Sequence, residues 1–208
     1  LDQPGGGAAR GTLTGPQRLQ VSQRTLQRAW DVSQRSSRED WDEWMRRFSI
    51  QLLREAPSSS LRAAANLAQA HQPLARELFS ASFACCWQEL SEAFRLDLVR
   101  ALEAAFIADV SPEILLALLN LAEFMEHDQG GRLPISISKL SDLALKCRAY
   151  AKALHYKERE YSSSRSNGCV EALISINRKL DLQGKLPVCS VVSRGTPLTN
   201  SQRLPWGY

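Results

Sequence analysis

Apolar residues recur along this chain at the spacing of a helix, not of a strand. After Ser37, Trp41, Trp44, Met45, Phe48 and Leu52 fall at i, i+3, i+4, i+7 and i+11, one wide stripe on an α-helix. Ser37 is placed to cap it, with Glu39 and Asp40 in the first turn, and Pro57 ends it. A second helix is expected over about 60–70, capped by Ser60, with Leu61, Ala64, Leu67 and Ala68 inward. A third follows over about 73–90, where Phe79, Phe83, Cys86, Trp87 and Leu90 run beside a row of Leu74, Leu78, Ala81 and Cys85. So wide an apolar arc implies neighbours on two sides.

The pattern continues in the second half. Ser91 opens a fourth helix to about 108, burying Leu98, Val99, Leu102, Ala105 and Phe106. Ser111-Pro112-Glu113 is a helix start with a cap, Pro at N1 and an acid behind it. The fifth helix carries Ile114, Leu115, Leu118, Leu119, Ala122 and Met125, and Gly130-Gly131 end it. Leu133-Pro134-Ile135 reads as an extended linker. A long sixth helix is expected over about 138–161, with Leu140, Leu143, Ala144, Cys147, Tyr150, Ala151 and Leu154 inward. The seventh, over about 169–181, buries Val170, Leu173, Ile174 and Leu180. A further short helix fits within 17–32, around Leu19, Leu26 and Trp30.

Helix follows helix across short breaks, with no credible strand. The expected fold is therefore all-α: an α-solenoid of antiparallel helix pairs, HEAT- or TPR-like, with about seven helices and disordered ends. No exact internal repeat is visible, but degenerate repeats of roughly 35–45 residues fit the spacing. Three parts are expected: a disordered segment over 1–20, helical repeats over 21–182, and a disordered, foreign-looking tail over 183–208, rich in Pro and Ser.

Charge changes little. The net charge is +4. Residues 1–20 carry +1 (Arg10, Arg18, Asp2) and 182–208 carry +3 (Lys185, Arg194, Arg203), which leaves the helical part neutral. The sequence thus makes no electrostatic case for nucleic acid. No apolar run reaches the ~18–20 residues of a membrane span, so membrane insertion is not expected. The chain begins with Leu, not Met, and lacks a secretory signal pattern, so it is expected to be a piece of something longer. Cys85, Cys86, Cys147, Cys169 and Cys189 show no metal-ligand spacing and read as free thiols of a reducing compartment.

Candidate chemistry concentrates between Asn120 and Glu158. Glu123, Glu126 and His127 cluster at the end of the fifth helix but match neither HExxH nor ExxH, so they read as a polar helix end. On a continuous sixth helix, Cys147 and His155 would stand about 12 Å apart, too far for a nucleophile pair. Lys146, Arg148, Lys152, Lys157 and Arg159 load that helix and read as a solvated face, with a partner-protein surface and, last, nucleic acid as the alternatives. Trp30, Trp41, Trp44 and Trp87 read as core anchors. No Gly-rich phosphate loop, Walker lysine, HRD or DFG motif occurs. No catalytic, cofactor-binding or metal residue is expected.

The stretches LQRAWDVSQR, DWDEWMRRFSIQLL, PLARELFSASFACCW, LLNLAEFMEHD, CRAYAKALHYKERE and EALISINRKL resemble, in this order, the target-of-rapamycin (TOR) group of the phosphatidylinositol-3-kinase-related kinases. The resemblance spans about Val21–Leu182. It implies a position where an N-terminal HEAT array gives way to FAT helical repeats, well before the kinase domain. It implies a scaffold that supports a Ser/Thr protein kinase in growth and nutrient signalling, with no catalytic residue of its own. ATP and magnesium would belong to the full-length parent. The implied partners are the rest of the kinase chain and TOR complex subunits, in a homodimeric parent complex. The implied location is cytoplasmic, and for the parent also lysosomal or vacuolar membranes and the nucleus. Residues 1–16 and Gly184 onward depart from the family, as expected of an incomplete gene model or retained intron, with a genuine short isoform as the alternative. A stand-alone helical-repeat adaptor remains the second functional reading.

Overall fold

The computed structural model describes residues 21–128 and 131–180. The expectations for 1–20 and 183–208, and for Gly130 and Cys189, lie outside the described residues. Ten helices follow one another, with no strand among the described residues: α1 Gln23–Trp30, α2 Arg38–Glu55, α3 Ser59–Ala70, α4 Gln72–Glu77, α5 Phe79–Glu89, α6 Glu92–Ile107, α7 Pro112–His127, α8 Ile137–Lys146, α9 Tyr150–Ser164 and α10 Asn167–Lys179. Neighbouring helices pack in pairs, and the architecture is the expected α-solenoid. α2 touches α1, α3, α4 and α5; α7 links α5 and α6 to α8; α8, α9 and α10 pack in sequence.

The count exceeds seven for local reasons. The short N-terminal helix forms as α1. The expected third helix bends at Leu78 (φ −85°, ψ −3°) into α4 and α5. The expected sixth helix is two helices. α8 stops at Lys146, and Arg148 takes a left-handed conformation at φ 56°. The Arg148 N–H donates to the Leu145 carbonyl (3.1 Å) and the Ala149 N–H to the Ala144 carbonyl (2.9 Å). These two bonds make a Schellman cap, in which glycine usually supplies the left-handed residue. Here an arginine fills the position, so no glycine marked the break. α8 and α9 consequently fold back on each other across a three-residue turn.

Start signals worked where the side chain had no better offer. Ser37 Oγ accepts from Asp40 N–H (3.2 Å) and Asp40 Oδ2 accepts from Ser37 N–H (3.0 Å), a reciprocal capping box on α2. Ser111 stands at the N-cap of α7, but its hydroxyl donates to Asp42 Oδ1 (3.0 Å), tying α7 to α2. In α3 the cap is Ser58, not Ser60, and the register turns with it: Ala65 and Ala68 are buried, while Leu67, expected inward, is 61% exposed. In α10, Cys169, Leu173 and Ile176 are buried, whereas Val170 and Ile174 are only half-buried.

The main core is aromatic. Phe48 of α2 meets Trp30, Phe79 and Phe83 edge-on at centroid distances of 6.4, 5.8 and 6.3 Å, a preferred geometry for rings. Trp44 Nε1 donates to the Trp30 carbonyl (3.1 Å), and Trp30 Nε1 to Asp97 Oδ2 on α6 (3.0 Å). Phe83 stacks on Trp87, and the Arg95 guanidinium lies 5.3 Å from the centre of the Trp87 ring. All four expected tryptophan anchors are buried. A smaller cluster of Ile50, Leu53, Ala65, Ala68 and Ala75 joins α2, α3 and α4.

Candidate functional site

The residues singled out at the end of α7 and along α9 meet each other. Glu123 and Glu126 are one helical turn apart, and Lys152 and Arg159 are two turns apart, so each pair shares a face of its helix. Lys152 Nζ donates to Glu123 Oε2 and to Asn120 Oδ1 (2.6 Å). Arg159 NH1 donates to Glu126 Oε2 (3.0 Å). Arg132, from the linker after α7, places NH2 2.8 Å from Glu126 Oε1, and His155 Nε2 stands 4.0 Å from Glu126 Oε2. Two guanidinium groups thus flank a carboxylate whose side chain is 10% exposed. Long side chains close the seam between α7 and α9, and Arg132 pins the linker to it.

Apolar packing lies beneath. Tyr156 is buried, and its phenol is pushed up to about 12 by burial, then by the charges of Glu126 and Glu123. Leu133 and Ile135 are buried, so the expected extended linker is anchored to the core. Lys157 is nearly buried and pairs with Glu160 at 2.8 Å. Lys146 Nζ donates to the Phe106 carbonyl (2.7 Å), placing a cation at the negative end of α6.

This corrects the reading of a solvated basic face. Lys146, Lys152, Lys157 and Arg159 each hold a partner, while Arg148 is the cap residue between α8 and α9. The signal was present as two charge patterns of opposite sign on separate helices. Sequence spacing alone did not show that they face each other. Because α8 ends at Lys146, the one-helix distance between Cys147 and His155 also does not apply. Cys147 is half-buried at the end of α8 and His155 is exposed on α9, its ring tilted against Tyr156.

Each carboxylate of the seam holds a cation: Lys152 on Glu123, and Arg159 and Arg132 on Glu126. Three cations face two carboxylates there, and His127 is exposed at the end of α7. Among the described residues no group of three or more His, Cys, Asp or Glu is arranged to hold a metal ion. Burial raises the Cys85 and Cys147 thiols above their ordinary value and pushes Cys86 up to about 12. Cys86 donates to the Leu52 carbonyl (3.4 Å). A groove of about 390 Å³ between α2, α4 and α7 is lined by Asp42, which accepts from Ser111, and by the Arg76–Glu113 pair (2.8 Å). Among the described residues no helix is long and apolar enough to cross a membrane.

No protein-family model matches the chain. Curated proteins do. The chain is 52% identical over 164 residues to the serine/threonine-protein kinase TOR2 of Saccharomyces cerevisiae, covering 78% of this chain and 7% of that protein. It is 53% identical over 169 residues to the serine/threonine-protein kinase TOR of Arabidopsis thaliana, covering 77% of this chain and 7% of that protein. With the serine/threonine-protein kinase mTor of Drosophila melanogaster it shares 47% identity over 162 residues, again 78% of this chain and 7% of the relative. The chain therefore spans about 7% of the length of the curated relatives it matches. Identity this high, held over more than three quarters of an all-helical chain, places it in the TOR family as the counterpart of one short segment of the TOR serine/threonine-protein kinases.

Proposed function

We propose that this chain serves as a non-catalytic helical scaffold in a TOR-type protein kinase, at the junction of HEAT and FAT repeats. The observation that carries the reading is the similarity to TOR kinases across most of this chain, in a segment that holds no ATP-site motif. A segment in such a position acts by keeping its neighbours at fixed distance and angle. The paired seam between α7 and α9 and the aromatic core around Phe48 suit that task, since both lock helices by interactions that fail when a helix shifts.

On this reading the parent phosphorylates Ser or Thr in growth and nutrient signalling and binds ATP and magnesium outside this segment. Its partners here are the rest of the kinase chain and complex subunits, in a homodimeric assembly. It works in the cytoplasm and at lysosomal or vacuolar membranes.

The test is replacement. Residues 21–182 are exchanged for the matching segment of Saccharomyces cerevisiae TOR2, in a strain that depends on that kinase for growth. The expected result is growth with the chimera, and loss of growth when Glu126 and Glu123 are both reversed to Lys. A chimera that accumulates normally yet cannot support growth would sink the scaffold reading and favour an adaptor without a kinase link.

A further inference from the structure

Of all the arginines in this chain, only Arg46 and Arg159 stand three residues before a Ser or Thr. Ser49, after Arg46, is 2% exposed inside α2, and its hydroxyl donates to the Met45 carbonyl (2.8 Å). Ser162, after Arg159, is exposed in the last turn of α9. An Arg at that spacing suits a basophilic protein kinase, whose own carboxylates grip the guanidinium while the hydroxyl enters the reaction. Lys157 adds a second cation two residues further back.

The end of α9 is poorly held. No basic residue lies in its last turn, and Glu158 and Glu160 stand near the negative end of the helix. Ser162 donates to the Glu158 carbonyl (2.9 Å), and Ser163 and Ser164 each donate to the Glu160 carbonyl (2.9 Å). Such back-bonds weaken a helix slightly. Arg159 ties this end to α7 through Glu126 Oε2 (3.0 Å). The folded chain therefore shows the acceptor hydroxyl but occupies the guanidinium by which a kinase would read it.

We propose that Ser162 is a phosphorylation site for a basophilic protein kinase, gated by the contact between Glu126 and Arg159. The kinase binds an extended segment, so the last turns of α9 unwind and Arg159 leaves Glu126 before transfer. Ser162 Oγ then bonds to the γ-phosphorus of ATP. The bond from that phosphorus to the β,γ-bridging oxygen breaks, ADP leaves, and the hydroxyl proton passes to the base of the kinase. The product holds the open state. The phosphoryl group replaces the proton that Ser162 gave to the Glu158 carbonyl, and sets an anion at the negative end of α9. Arg159, three residues back on the same face, pairs with the phosphate instead of Glu126. Glu126 keeps Arg132, and Lys152 still holds Glu123 at the other end of the seam. The result is a local loosening of α9 from α7.

The whole 208-residue chain is incubated with ATP and the active catalytic domain of calcium/calmodulin-dependent protein kinase II, which reads Arg three residues before its acceptor. Peptide mass spectrometry locates the phosphate, and far-UV circular dichroism verifies the fold of each variant. In the wild type, phosphate is expected on Ser162 and not on Ser49. Glu126→Gln frees Arg159 and is expected to raise the initial rate at Ser162 roughly tenfold, the worth of one charge-assisted hydrogen bond. Arg159→Ala removes the residue that is read and is expected to abolish phosphate at Ser162. Ser49 separates local opening from unfolding, because Arg46 has the same spacing and α2 must come apart to present it. Hydrogen exchange of the phosphorylated wild type gives a second reading: amides of residues 159–164 are expected to exchange faster than in the unmodified chain. A wild-type Ser162 that takes no phosphate overturns the proposal. So does a rate indifferent to Glu126→Gln, a rise shared equally by Ser49, or unchanged protection after phosphorylation.

Discussion

Arg159 of α9 donates to Glu126 of α7 across 3.0 Å, and the same carboxylate has Arg132 at 2.8 Å on its other oxygen. A mostly buried acid is thus held between two partly exposed cations on different parts of the chain. Removing it leaves both guanidiniums facing a desolvated gap.

Glu126→Ala is therefore expected to destabilise the chain more than any loss at the exposed Arg38–Asp109 pair. The exposed guanidiniums moderate the full cost of breaking a buried pair, so about 2 kcal/mol is expected, while the fully exposed pair is screened by water and salt. Urea unfolding of Glu126→Ala, Arg159→Ala and the double variant gives the coupling. Additive losses would show that the contact is incidental.

The aromatic core makes a steeper demand. Phe48 is fully buried and touches Trp30, Trp44, Phe79 and Phe83. Phe48→Ala is expected to cost about 3–5 kcal/mol, from lost transfer energy and the cavity left behind. Phe48→Leu should recover a good part of it. Equal denaturant midpoints for the two variants would show that ring geometry, not volume, sets the stability.

Arg148 sits at φ 56° with its backbone committed to the cap of α8. A left-handed conformation costs a non-glycine residue roughly 1–2 kcal/mol. Arg148→Gly relieves that strain but frees the unfolded chain, and a net gain of about 0.5–1 kcal/mol is expected. Arg148→Pro cannot adopt the angle and removes the donor to Leu145, so it should unfold the α8–α9 turn. Thermal melts of the two variants should move in opposite directions.

Stability should fall at both ends of the pH scale, for different groups. Asp40 lies below its ordinary value of 3.8, chiefly through backbone N–H donation from Ser37 and then Ser36; Asp31 is lowered by Ser33 and Asp109 by Arg38. Their contribution is present above the unfolded value near 3.8 and is lost as the pH falls through their lower folded values. Cys86 runs the other way. Burial raises it from 9.0 to about 12, so the folded state holds its proton longer and stability declines as the pH rises from 9 to 12. Cys86→Ala should make the alkaline limb of a pH series of urea midpoints shallower, leaving the part due to Tyr156, Cys85 and Cys147, and should leave the acid limb in place. An unchanged alkaline limb would remove Cys86 from the account.

The chain's order of polar and apolar residues determined most of what is local. It set where α2, α6 and α7 run and which of their faces are buried, because a stripe such as Trp41 to Leu52 can satisfy itself only by facing inward. It also carried the family likeness in long unbroken blocks. Three things were decided only in three dimensions. The break at Arg148 depends on a backbone angle that an arginine adopts here because α8 and α9 pack back on each other, and periodicity ran straight through it. The turned register of α3, with Leu67 outside, depends on which face α2 and α4 leave open to small alanines. The partners of Lys152 and Arg159 depend on the distance between α7 and α9, which no spacing along either helix encodes. A helix's own pattern fixes its buried face, but charge pairing across helices is a relation between two surfaces, and only their packing brings those surfaces together.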